Sequence, residues 1–329
     1  MRLAAGSRSG ENLTSHRESL PGVWRVDVLH PAAGQTCCYL LAEKGEGALI
    51  DCGAKNGVRA ILDAVSAAGL RREEIRQIIV THAHLDHAGA AGELLRHFPR
   101  ATLGGHPSAI KHLTNPDAKL LPAVRGLYGE KFFAAHYEGV VAAGESRARI
   151  LADGEIVAFG GRELKILHTP GHAWHHLSVS DAAGGVFFAG DAFGVSFPDV
   201  NCGGELLIAP VMPPTQFHPE EARRTLRRLR ELDAGHVALS HFDVAPYSPS
   251  LADRQIAALD GWESAAREIA EKGGDFYPQF RAHLEEWYRT AARDLDSAAV
   301  ARRHAGDIHL TASGFAHLHK KEFPQSAAH

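Results

Sequence analysis

The sequence Thr-His-Ala-His-Leu-Asp-His-Ala-Gly at residues 81–89 follows directly on an apolar run at residues 77–80. Such a short apolar run is typical of a buried strand, and the pattern of residues 90–97 predicts a helix. The histidines and the aspartate therefore lie on a strand-to-helix loop. Loops of this kind commonly hold binding groups above a rigid scaffold.

The spacing of these polar residues indicates a metal site. In an extended loop alternate side chains point the same way, so His82 and His84 are expected to face one ion. Asp86 and His87 then face a neighbouring position. Imidazole and carboxylate ligands suit Zn(II), with Mn or Fe as alternatives, and the lack of cysteine ligands favours a catalytic site over a structural one. The chain has 22 histidines, yet chance would produce this pattern in only about one chain in two hundred of such composition.

Further candidate ligands come after later predicted strands. The strand pattern breaks at Thr-Pro-Gly-His172, at Gly-Asp191 and at Ser-His241. Each of these residues follows an apolar run and a turn, where additional ligands would have to lie. The residues alone predict one site, without dividing its members between ions. Its members are His82, His84, Asp86, His87, His172, Asp191 and His241.

With these segments the chain resembles the metallo-β-lactamase superfamily over about residues 23–242. The resemblance implies an α/β fold, a four-layer αβ/βα sandwich with the site at one end of its two sheets. It also implies two Zn(II) ions, with Fe or Mn possible in their place. One ion would be held by His82, His84 and His172, the second by Asp86, His87 and His241, and Asp191 would bridge them.

Two metal ions about 3.5 to 4 Å apart can activate a hydroxide and polarise the oxygen of the bond that it attacks. We therefore expect a binuclear zinc hydrolase with Asp86 and Asp191 as catalytic residues. By resemblance to glyoxalase II and the lactonases, the expected substrate is an ester, a thioester or a lactone. Its identity depends on regions outside the shared motif, and no glutathione-binding pattern is recognisable there.

Other functions remain open within the same resemblance. Persulfide dioxygenases keep the H-x-H-x-D-H pattern with a single iron, so an oxidoreductase with mononuclear iron is one alternative. A signalling or binding protein of this fold with low turnover is another. Nucleic-acid processing is disfavoured, because the formal charge of -4 provides no excess positive field for a polyanion.

Polar and aromatic residues near the ligands are candidates for supporting roles. Asp51, in Leu-Ile-Asp-Cys-Gly, is expected to accept a hydrogen bond from a ligand imidazole, with capping of a turn as the alternative. Thr81 and Ser240 are further candidates of this kind. For seven further residues we expect ordinary packing or surface exposure, with a place in the wall of the cleft as the alternative. They are His175, His176, Tyr128, Tyr137, Phe193, Phe197 and Tyr247.

Composition indicates a globular protein, with 45% hydrophobic and 22% charged residues. The four cysteines lack C-x-x-C spacing and are expected to be free thiols. The first twenty residues lack the apolar core of a signal peptide, and no apolar run is long enough to span a bilayer. We therefore expect a cytoplasmic protein with a small-molecule substrate and with neither a membrane nor a nucleic-acid partner.

The remaining pattern predicts the domain organisation. Residues 1–20 form a flexible N-terminus and residues 21–250 the metallo-hydrolase domain, with a helical insertion at about 105–145 that roofs the site. Residues 251–297 form a C-terminal helical extension, whose aromatic residues are expected to pack on the core, with a homodimer contact as the alternative. Residues 298–329 form a tail of weak periodicity, expected to be partly disordered and to expose its histidines.

Overall fold

The computed structural model describes residues 15–197, 207–291, 300 and 302–322. The first half of this part forms a seven-stranded sheet whose strands follow one another in chain order. Its first four strands are antiparallel and the later ones run parallel. The strands are β1 (His16–Leu20), β2 (Val23–Asp27), β3 (Cys37–Glu43), β4 (Glu46–Ile50), β5 (Ile75–Ile79), β6 (Thr102–Gly105) and β7 (Ala148–Ile150).

A second sheet of six strands has the order β13-β12-β11-β10-β9-β8. Only β11 and β12 pair in parallel, and they are joined through a helix, as a parallel pair requires. The strands are β8 (Ile156–Phe159), β9 (Arg162–His168), β10 (Leu177–Asp181), β11 (Val186–Gly190), β12 (His236–Leu239) and β13 (Asp243–Pro246).

Helices cover the outer faces of both sheets. On the side of the first sheet are α1 (Val58–Ala67), α2 (Leu85–Ala88), α3 (Ala91–His97), α4 (Pro107–Thr114), α5 (Leu120–Tyr128) and α6 (Glu130–His136). On the side of the second are α7 (Pro219–Arg230), α8 (Pro249–Lys272), α9 (Phe276–Ala291) and α10 (Ala305–Glu322). Among the described residues, no helix combines the length and the apolar character needed to cross a membrane.

Three apolar layers hold these four layers of secondary structure together. One lies between the first sheet and its helices and includes Leu40, Ile61 and Leu94. A second lies between the two sheets, where side chains such as Tyr39 and Phe188 meet, with ring centroids 5.3 Å apart. The third lies between the second sheet and α7–α10. The fold is thus the expected four-layer αβ/βα sandwich, in which each sheet buries both faces.

The structure confirms the helices that were predicted from apolar periodicity at α1, at α7 and after residue 250. Trp262 of α8 is 1% exposed and packs edge-on against Trp287 of α9, with ring centroids 5.0 Å apart. The aromatic residues of this region therefore pack within the chain. Among the cysteines, Cys37, Cys38 and Cys52 are free and buried, as expected, and Cys202 lies outside the described residues.

One expectation about secondary structure was wrong, and three elements were not anticipated. Asp86 and His87 lie on the helical turn α2, whereas an extended loop was expected. Strands β1 and β13 were not anticipated, since β1 is polar at a sheet edge and β13 is only four residues long. The C-terminal tail forms α10, which packs on α9.

The histidines of the tail also differ from the expectation of exposed side chains. His304 is fully buried beside the ring of Tyr288, and its Nδ1 lies 3.0 Å from Asp307 Oδ2. His309 is exposed, but its Nδ1 lies 2.6 Å from the hydroxyl of Tyr277 on α9. The chain therefore holds this segment to the preceding helix through both apolar and polar contacts.

Candidate metal centre

The ligand-type residues come together because several strands end at the same edge of the sandwich. His82 and His84 follow β5 directly, and α2 then turns Asp86 and His87 back towards them. In the second sheet the parallel pairing of β11 and β12 brings their carboxyl ends together. Carboxyl ends of parallel strands are where α/β proteins place their sites. The remaining members follow the ends of β9, β11 and β12, as His172, Asp191 and His241.

Three histidines form the first group of converging atoms. His84 Nδ1 lies 2.9 Å from His82 Nε2 and 3.1 Å from His172 Nε2. His172 Nδ1 lies 3.1 Å from the Val211 carbonyl, to which it must donate, so the Nε2 of His172 has a free lone pair. Burial, followed by the neighbouring histidines, lowers the pKa of His82 and His84, and burial also lowers that of His172. These imidazoles are thus held neutral, as metal ligands must be.

The second group has a different electrostatic character. His87 Nε2 and His241 Nε2 are 3.2 Å apart, and Asp86 Oδ2 lies 3.5 Å and 3.4 Å from them respectively. Burial opposes charge on both imidazoles, but the carboxylates Asp191 and Asp86 outweigh it and raise the pKa of His241 to about 9. The pKa of His87 is raised for the same reason, with Asp51 adding to the effect. This pocket of negative potential favours a cation at the second group.

Asp191 lies between the two groups. Its Oδ2 is 3.4 Å from His172 Nε2, whereas its Oδ1 is 3.4 Å from His87 Nε2 and 3.6 Å from His241 Nε2. Oδ1 is buried and has no hydrogen-bond partner among the residues that the structure describes. A buried carboxylate oxygen without a partner is costly unless a cation satisfies it.

The donor set therefore fits metal ions. Three overlapping groups have ligand atoms within 4.8 Å of one another. The first and third contain the residues that the resemblance implies for two separate ions, and the second joins them through Asp191. The groups are His82, His84 and His172; His82, His87 and Asp191; and Asp86, His87 and His241.

Asp51 holds the loops of the centre in place through hydrogen bonds, as the sequence suggested. It is 1% exposed and accepts hydrogen bonds from the Thr81 N–H at 2.7 Å and from the Thr81 and Ser240 hydroxyls at 3.0 Å. His87 Nδ1 lies 3.0 Å from its Oδ2 and donates to it. This contact fixes the tautomer of His87 and turns its Nε2 towards the centre.

His176 has a supporting role that the sequence did not reveal. Its Nε2 accepts the Asp191 N–H at 3.1 Å, and its Nδ1 lies 2.8 Å from the Thr169 hydroxyl. The ring therefore fixes the main chain of the central aspartate and leaves the carboxylate free. His175, its neighbour, is buried with its ring centroid 6.3 Å from that of His82.

Comparison with known proteins gives the family. A sequence model described as the metallo-β-lactamase superfamily matches residues 31–241. This chain belongs to the metallo-β-lactamase superfamily. Among curated members it is 27% identical to the metallo-β-lactamase fold-containing protein ST1585 of Sulfurisphaera tokodaii over 226 residues, which are 67% of this chain and 77% of ST1585.

Two further superfamily members help to place the chain. A crystal structure of the metallo-β-lactamase family protein TTHA1429 from Thermus thermophilus has a TM-score of 0.63 at 22% identity, over 87% of this chain and 94% of TTHA1429. That likeness supports the fold. The hydroxyacylglutathione hydrolase of Aeromonas salmonicida is 27% identical over 161 residues, 49% of this chain and 48% of the hydrolase.

A cavity of about 530 Å³ opens above the candidate metal centre of this superfamily member. Helices α5 and α6 form one wall, consistent with a helical segment over the site, and α10 contributes to another. Tyr128, Tyr137 and Phe197 line it, which was the alternative to ordinary packing. Phe193 and Tyr247 pack on each other with their ring centroids 6.0 Å apart, as expected for ordinary packing.

Proposed function

We propose that this protein is a binuclear zinc hydrolase whose substrate is an ester, a thioester or a lactone. The observation that supports two ions is the position of Asp191. Its two carboxylate oxygens face separate groups, His172 on one side and His87 with His241 on the other. A single mononuclear site would need only one of these groups.

Two bound ions would supply an activated water and would polarise the carbonyl oxygen of the substrate. The chain itself would orient the reactants. Asp86 is 25% exposed at its side chain and lines the cavity, so its carboxylate can accept a hydrogen bond from the attacking water. Asp191 is held rigidly through its main chain by His176. His82, His87 and Asp191 are buried, which strengthens the electrostatic contacts among them.

Hydrolysis of an acyl compound is supported by the superfamily and by one group of relatives. The curated relatives include hydroxyacylglutathione hydrolases, such as that of Aeromonas salmonicida. The chain spans about half the length of that enzyme, 48%. The family match, residues 31–241, includes the ligand motifs and α5, whereas α10, which also lines the cavity, lies beyond it.

The test is removal and stepwise return of metal. After chelation, hydrolysis of a panel of esters, thioesters and lactones should be lost and should return as Zn(II) is added, reaching its maximum at two ions per chain. Asp191→Ala should lose nearly all activity and at least one ion. Asp181→Ala is a matched control, because Asp181 is also buried but pairs with Arg162 away from the centre.

Full activity at one iron per chain, with uptake of oxygen in the presence of a persulfide, would replace this proposal by an oxidoreductase. A metal-loaded protein inactive on the whole panel would favour a signalling or binding role. Wild-type activity in Asp191→Ala would refute the two-ion mechanism.

A further inference from the structure

Helix α5 presents an apolar stripe to the cavity. Leu120, Ala123, Val124 and Leu127 have the spacing i, i+3, i+4 and i+7, and all four line the cavity. This is the spacing that helices use to face an apolar partner. Leu127 is nevertheless 47% exposed, so the described residues cover only part of its side chain.

The opposite wall of the cavity is apolar as well. Val195 and Phe197 follow β11, Val211 and Pro213 come from the segment before α7, and Leu310 comes from α10. The cavity therefore forms an apolar arm that begins at the candidate metal centre, where His84, Asp86 and Asp191 also line it. An apolar cleft with a few polar groups at one end is the usual form of a small-molecule site.

Away from the candidate metal centre, the fixed charge along this arm is negative. Among the described lining residues there is no lysine or arginine, whereas Asp307 of α10 lies on the wall. Arg303 is close by, but its guanidinium packs over the Phe197 ring, 4.3 Å from the centroid, and donates to the Gly34 carbonyl at 2.5 Å. Burial, then Asp86 and Asp191, raises the pKa of the Tyr128 hydroxyl on the same wall. A substrate carboxylate in this arm would lose its hydration without gaining a cationic partner.

We infer that the substrate is a neutral acyl compound whose hydrocarbon chain lies along α5 while its carbonyl group lies at the metal centre. This inference rests on the proposed hydrolase function and narrows its substrate class. Specificity would come from burial of the chain against the apolar stripe and from exclusion of acyl chains that end in a carboxylate, because these would place their charge in the arm. Acyl chains with a terminal carboxylate would therefore be poor substrates.

The first experiment compares two series of thioesters on the metal-loaded protein. Neutral S-acyl N-acetylcysteamines from acetyl to dodecanoyl should show kcat/KM rising by about two- to fourfold per methylene until the arm is filled, as expected for burial of hydrocarbon. N-acetylcysteamine thioesters whose acyl chains have matching length but end in a carboxylate should react at least tenfold more slowly. A flat dependence on chain length, or faster reaction of the carboxylate series, would overturn the inference.

A pair of variants locates the effect on α5. Leu127→Lys should flatten the dependence on chain length and raise kcat/KM for the thioesters with a terminal carboxylate by about two- to fivefold, as a new partly exposed ion pair would. Ile156→Lys is the matched control, since Ile156 is 44% exposed on β8 and does not line this cavity. Equal behaviour of the two variants would contradict a role for α5.

Binding without turnover separates this inference from the proposed function. The neutral fluorophore N-phenyl-1-naphthylamine should bind the metal-loaded protein and should be displaced by decanol, with weaker binding in Leu127→Lys. Displacement by decanol without hydrolysis of any ester, thioester or lactone would support the ligand class and refute the hydrolase. Hydrolysis with no preference for neutral acyl chains would refute the ligand class and leave the hydrolase standing.

Discussion

Replacing Asp51 by asparagine should weaken the binding of one metal ion and leave the affinity for the other nearly unchanged. The Oδ2 atom of Asp51 accepts from His87 Nδ1 and from the Ser240 hydroxyl, both at 3.0 Å, and its Oδ1 accepts the Thr81 N–H at 2.7 Å. Asparagine has a single acceptor oxygen. If that oxygen stays with the Thr81 N–H, an amide N–H₂ faces His87.

The Ser240 hydroxyl can rotate to accept from the new amide, but His87 cannot adapt without losing its role. Either its Nδ1–H stays buried without an acceptor, at a cost of about 1–3 kcal/mol, or the proton moves to Nε2, the atom that faces the metal. Loss of such an orienting partner typically weakens metal binding by about 10- to 100-fold. The dissociation constant of the ion held by His82, His84 and His172 should change by less than about threefold.

Competition with a chromophoric chelator measures the two dissociation constants in wild type and Asp51→Asn. Asp181→Asn is the control, because Asp181 is a fully buried carboxylate that accepts from Arg162 at 2.6 Å and from Gly184 at 2.9 Å, away from the centre. That control should lose stability and keep both metal affinities. Wild-type affinity for both ions in Asp51→Asn would refute the orienting role of Asp51.

Further predictions concern stability, measured by urea unfolding. His176→Leu leaves the buried Asp191 N–H without its acceptor and should cost about 1–3 kcal/mol; a change below about 0.5 kcal/mol would contradict its role. Gly190 has φ +55, and a Cβ there would lie 2.5 Å from His176 Nε2, whereas Gly185, at φ +62, has nothing within 4 Å. Gly185→Ala should lower the free energy of unfolding by about 1–2 kcal/mol because its backbone is left-handed. Gly190→Ala should lower it further and weaken metal binding, and equal losses in the two variants would argue against a clash with His176. Free metal at a hundredfold excess over the dissociation constant should raise the free energy of unfolding by about 2.7 kcal/mol above that of the metal-free protein. An unchanged midpoint of urea unfolding would contradict binding to the folded state.

Much of the fold was predictable because its buried strands have strong apolar runs. The motif at residues 81–89 and the ligand-type residues His172, Asp191 and His241 all follow such runs, so the positions of strand ends also predicted which side chains would meet. Asp51 was found in the same way, at the end of β4. These inferences depend only on local pattern and on the rule that strand ends share an edge.

Helix α10 was missed because its buried face mixes large and small residues. Ile308 and Phe315 are buried, but the buried residues between them are Thr311, Ala312 and Gly314. A Cβ on Gly314 would clash with the Met212 carbonyl oxygen. Two large apolar residues seven positions apart are a weak helical pattern. The role of His176 was hidden for another reason, since its contact with the Asp191 main chain exists only after β10 and β11 have paired.

The short helix α2 shows the limit of reading a motif as extended chain. Alternation along an extended chain was expected to point His82 and His84 at one position and Asp86 and His87 at a neighbouring one. Asp86 and His87 instead reach the centre from a helical turn that begins at Leu85. The His87 N–H bonds the His84 carbonyl at 3.0 Å, which closes that turn. A four-residue helix has too few residues for periodicity to distinguish it from a loop.

The most direct test of the two-ion centre is a crystal structure of the zinc-loaded protein with anomalous difference maps recorded on both sides of the zinc absorption edge. We predict two zinc peaks about 3.5 to 4 Å apart, one among His82, His84 and His172 and the other among Asp86, His87 and His241, with Asp191 between them. A single peak bound by either group alone, with Asp191 free of metal, would contradict a two-ion centre.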